Sequence, residues 1–106
     1  MSETILDVVR DQLVAAGMVQ TQAEFCENWL GRSECYMRTL RFNGLGPSAE
    51  VLATLGSRLG FYANELGKRP DKTSQNRAVL LTEMRRKTQS VLEERVRERW
   101  QKVCGC

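Results

Sequence analysis

The stretch Gln22–Phe42, QAEFCENWLGRSECYMRTLRF, decides how the chain folds. Phe25, Trp29 and Leu30 recur at helical spacing before Gly31, and Tyr36, Met37 and Leu40 do so after it. The pattern is two short helices around a glycine, and basic residues appear only on the second. Thr21 has the chemistry of an N-cap, with Glu24 three residues on to complete a capping box, and Ser33 is placed to cap the second helix. Cys26 is small enough to sit where two helices cross. Gly31 tolerates the positive φ that such a turn requires, and Met37 with Leu40 would anchor the second helix.

Outward from this hairpin the chain also reads as helix. Residues from about Glu3 to Ala16, capped by Ser2, place Ile5, Val8, Val9 and Leu13 on one face, and Gly17 is a natural stop. The loop NGLGPS ends in a new cap at Ser48, and Val51, Leu52, Leu55 and Leu59 follow at helical spacing. Gly60 is expected to break that helix, with FYANEL forming one further short turn. Strand signals are missing: there is no sustained alternation and no Asn-Gly or Asp-Gly hairpin.

The polar segment GKRPDKTSQN, Gly67–Asn76, reads as a linker, and the last element is long and heavily charged. From about Gln75 to Val103, Met84, Thr88, Leu92, Val96 and Trp100 recur every four residues, with Leu81, Val91 and Val103 beside them. Such a helix outruns what a small domain covers. Met84, Leu92, Val96 and Trp100 are therefore expected to contact a second copy, the alternative being a helix folded back across its own core. The expected division is a helical domain over residues 1–67, a linker over 68–76 and a self-associating helix over 77–106.

Composition narrows the function. The 106 residues suit one modest core, and 42% hydrophobic with 27% charged residues is a globular balance. Net charge is +3, distributed unevenly: −4 over residues 1–30, +3 over 31–69 and +4 over 70–106. That gradient fits either a positive face offered to a polyanion or a solvated surface. Histidine is absent, which removes serine–histidine and cysteine–histidine catalysis and the usual nitrogen ligand of zinc. No glycine-rich phosphate loop or carboxylate pair on an apolar background is present, so no enzyme and no cofactor is expected. Cys26 and Cys35 are spaced C-x8-C and Cys104 and Cys106 C-x-C, which does not match paired C-x2-C knuckles, and no metal site is expected. The start, MSETILDVVRDQL, carries three acids and no basic segment ahead of an apolar block. No apolar run approaches bilayer length, and a cytoplasmic location follows as the expectation.

The run from Thr21 to Leu66 resembles the five-helix DNA-binding domain of the lambda repressor and Cro class. The resemblance lies in Thr21-Gln22, Cys26, Leu30-Gly31, the Ser33-x-x-Tyr36-Met37 pattern, Pro47-Ser48, Leu59-Gly60 and Glu65-Leu66. It is also similar to a group of small bacterial proteins carrying an LGRS-x-x-Y core. The first resemblance implies an all-α fold: a five-helix, lambda-repressor-like helix-turn-helix domain followed by the long C-terminal helix. It implies a dimeric regulator of transcription whose recognition helix, about Ser33 to Arg41, enters the major groove of double-stranded DNA. Ser33 would cap that helix, while Glu34, Cys35, Arg38 and Thr39 face the groove. Arg38 would read guanine bidentately. Gln22 would hold a phosphate at its helix start, and Arg32, Arg41 and Arg58 would be phosphate contacts. Departures from the pattern are specific. Gly31 comes one residue late, so the first helix or turn must absorb an insertion. Arg32 occupies a normally buried turn position, and Glu34 would approach bases. The competing reading is a non-enzymatic protein-interaction or oligomerisation module on the same scaffold.

Overall fold

The computed structural model describes residues 4–104. Among them the regular elements are helices alone: α1 (Ile5–Ala15), α2 (Gln22–Phe25) continued by a π-helical turn (Cys26–Leu30), α3 (Tyr36–Phe42), α4 (Ala49–Gly67) and α5 (Lys72–Cys104).

Local chemistry sets most of the boundaries. Thr4, in an extended conformation, is the N-cap of α1, and its backbone N–H donates to Asp7 Oδ2 at 3.0 Å. The expected cap, Ser2, lies outside the described residues. At the other end Gly17, with φ of 74°, turns the chain, and the Met18 N–H donates to the Leu13 carbonyl at 2.9 Å. Thr21 Oγ1 accepts from the Glu24 N–H at 3.1 Å, as its position promised. The π-helical turn that follows holds one residue more than an α-helical turn. It carries the chain to Gly31. That glycine then closes the helix in the left-handed region, φ 69° and ψ 32°, where a Cβ is unfavourable. The Arg32 N–H donates back to the Cys26 carbonyl at 3.0 Å.

Two expected boundaries are corrected. Ser33 does not cap α3: the chain makes one more turn at residues 34–35, so Cys35 holds the N-cap position without a side-chain bond. Ser33 supplies only its carbonyl, which accepts from the Tyr36 N–H at 3.1 Å. Gly60 does not break a helix either. Capped by Ser48, whose Oγ accepts from the Val51 N–H at 3.2 Å, α4 runs unbroken through it to Gly67. A Cβ at Gly60 would lie 2.8 Å from Arg85 Nε and 3.0 Å from its Cδ, so the glycine makes room for α5. Among the described residues, four helices therefore precede the long one, not five.

The expected linker is also corrected. Its residues 68–71 form a turn, and residues 72–76 already belong to α5. Asp71 starts that helix, its Oδ2 accepting from the Ser74 N–H at 2.8 Å. This hydrogen bond and one from the Ser74 side chain hold the Asp71 carboxyl below its ordinary pKa.

α5 returns antiparallel along α4. Gly67 sits beside Ala78, Gly60 beside Arg85, and Gly56 beside Thr88 and Gln89. Small residues on α4 thus let the axes approach closely. Leu81 and Met84 of α5 enter the same core as Leu6, Val9 and Leu13 of α1, Phe25, Leu30, Met37 and the α4 residues Val51, Leu55 and Leu59. Full burial of each such side chain is worth about 1.5–3 kcal/mol. The chain consequently has one core, shared across the boundary expected at residue 77. Met84 is corrected from a contact with a second copy to a core residue. Thr88 is buried beside it, with its Oγ1 donating to the Met84 carbonyl at 2.8 Å. By contrast Leu92 is half-buried, and Val96, Trp100 and Val103 are 43, 49 and 82% exposed.

Candidate functional site

The hairpin of α2 and α3 is fixed from its buried side. Cys26 is fully buried in the π-helical turn, in one core with Met37, whose backbone amide lies near its sulfur. Burial pushes the Cys26 thiol up and outweighs the amide, leaving an uncharged core residue rather than a reactive thiolate. Met37 is buried behind it and Leu40 is half-buried. Trp29, also buried, packs against Tyr62 of α4 with ring centroids 5.1 Å apart.

On the solvent side the structure separates the expected site residues into two groups. Ser33, Glu34, Arg38 and Thr39 are exposed, and Cys35 is half-buried. Gln22, Arg32 and Arg41 have partners within the chain. Gln22 Oε1 accepts from Arg10 Nη1 at 2.6 Å. Arg32 Nη2 lies 3.3 Å from Glu50 Oε2, with its guanidinium 5.8 Å from the centre of the Tyr36 ring. Arg41 Nη2 donates to Asp7 Oδ1 at 3.0 Å. Arg58 is half-buried, its guanidinium laid beside Gly31.

Asp7 joins these residues without a role assigned to it from the sequence. Nearly buried, it accepts from the Thr4 N–H and from Arg41, and lies 3.3 Å from Arg10 Nη1. It thereby ties the start of α1 to the end of α3. The Thr4-x-x-Asp7 spacing signals the cap, but the partner Arg41 is a long-range contact with no local signature. Beside this latch lies an open cavity of ≈ 410 Å³, walled by Leu6, Met37, Leu40 and Leu45.

The end of α5 forms a second candidate surface. Arg95 Nε donates to the Pro47 carbonyl at 3.1 Å, where α4 is about to begin. Beyond that point α5 continues past α4, and the two helices bound an open notch of ≈ 820 Å³. Ala49, Val96, Trp100 and Val103 supply its apolar lining, and Arg95, Arg99 and Lys102 its cations, with Glu98 as the opposing charge.

Among the described residues no group of three or more cysteine, histidine or carboxylate side chains is placed to hold a metal ion. Cys106 lies outside those residues. No described helix is long and apolar enough to cross a membrane.

The molecule is thus an all-α protein with one core, a short helical hairpin and a long closing helix. It belongs to the family of unknown function DUF6626, whose model matches residues 6–101. No curated protein and no solved structure matches the chain.

Proposed function

We propose that the chain is a non-enzymatic, cytoplasmic regulator that binds double-stranded DNA through the α2–α3 hairpin. The observation that carries this reading is the hairpin's construction. A left-handed Gly31 and the burial of Met37 in the core it shares with Cys26 hold α3 from below, while Ser33 and Glu34 ahead of it and Arg38 and Thr39 on it stay exposed. Helix-turn-helix readers require that arrangement, with a helix held by its buried face and polar side chains presented outward. In this reading the lambda-repressor-like frame is retained with its last two helices fused into α4. Arg38 is the base-reading residue, and two copies on a two-fold site double the small contact that one hairpin makes.

The test is titration of a labelled random-sequence duplex at increasing salt. Affinity should fall steeply with salt, since cations displace condensed counterions from phosphates. On a selected site, Arg38→Ala should cost roughly 1–3 kcal/mol and relax the preference for one base. Absence of binding at low salt overturns the reading.

A second reading, the interaction module, is favoured by a different observation. Gln22, Arg32 and Arg41 are engaged inside the chain, whereas Val96, Trp100 and Val103 are exposed at the end of α5. Protein binding without any affinity for DNA would select it.

A further inference from the structure

We propose that the notch between the start of α4 and the end of α5 docks an acidic amphipathic helix of a partner protein. The surface has two parallel rows. Val96, Trp100 and Val103 recur at four and three residues and form one apolar row, 43, 49 and 82% exposed. Arg95, Arg99 and Lys102 recur at the same intervals, one residue earlier, and form a cationic row beside it. Ala49 brings the N-terminal end of α4 to the same notch, and that end carries a partial positive charge. Of the nearby carboxylates, Glu98 opposes the row, while Glu50 is paired with Arg32.

The occupant that satisfies both rows has apolar side chains at helical spacing and carboxylates along one flank. Trp100 is the natural anchor, since a half-exposed indole has most to gain from a second surface. A second copy fits less well, because two such ends bring cationic rows of like sign together. Duplex DNA would use the cations and leave the apolar row in water. The inference is independent of whether α3 meets DNA.

The test uses the full chain and two labelled synthetic helices read by fluorescence anisotropy. Both carry leucines at helical spacing; one is flanked by glutamates and its twin by lysines. The glutamate helix should bind and the lysine twin should not. Trp100→Ala should weaken binding roughly tenfold or more, and Arg99→Glu with Lys102→Glu should reverse the preference between the helices. Thermal melting of each variant should match that of the parent, separating lost docking from lost folding. Equal binding of both helices, or of neither, overturns the proposal. So does displacement of the glutamate helix by random-sequence duplex or by phosphatidylglycerol vesicles. A dimer of the chain that Trp100→Ala dissolves overturns it as well, by naming a second copy as the occupant.

Discussion

The two halves of α5 carry the same recurrence of apolar residues and meet opposite fates. Met84 and Thr88 in the first half are buried against α4, whereas Val96 and Trp100 in the second are exposed. The reason is geometric. A residue at every fourth position advances about 40° around a helix of 3.6 residues per turn. From Met84 to Trp100 the row therefore winds through about 160° and leaves the face it started on. The direction that Met84 and Thr88 point is continued by Arg95, Arg99 and Lys102. A four-residue recurrence thus identifies apolar residues correctly without placing them on one face, and reading it as one seam merged a core with a surface.

The sharpest break of this comparison is Leu81→Ala in the first half. It should cost roughly 2–5 kcal/mol and lower the chemical-denaturation midpoint of the whole chain, because one core unfolds as a unit. A separate early transition would instead mean that α5 docks as an independent piece. Arg95→Ala lies at the hand-over and removes the hydrogen bond to Pro47, so about 1 kcal/mol should be lost in the same assay.

Acid titration probes the beginning of α5. The Asp71 carboxyl has a folded-state pKa below its unfolded value, so its contribution is present above the unfolded pKa and is lost as pH falls through the folded one. Stability should decline over that acidic window, and Asp71→Ala should remove this part of the decline. The smallest effect belongs to the second half: deleting the residues after Arg97 should change folding stability by less than about 0.5 kcal/mol. A larger loss would mean that the end of α5 is covered by its own chain.

Features governed by neighbours in sequence were legible. The caps at Thr21 and Ser48, the left-handed turn at Gly31 and the burial of Phe25, Trp29 and Met37 all follow from short-range chemistry. Gly60 was not legible because its role depends on Arg85, which only the folded chain brings near. The same holds for Arg41, whose partner Asp7 lies at the start of the chain, and for Met84, whose fate depends on where α4 stops. Ser33 was misplaced for a subtler reason. Serine is a good cap chemically, but the turn at residues 34–35 delays the helix beyond its reach.

The shared core also bears on how the protein is made. Leu81 and Met84 complete a cluster begun by Leu6, Val9 and Leu13, so during synthesis the earlier helices leave the ribosome with apolar faces uncovered. Closure waits for the last helix to emerge. The earlier helices therefore stay exposed to chaperones and proteases until α5 can dock. Once α5 has docked, its final residues become available as a surface, so a partner that reads them meets only finished molecules.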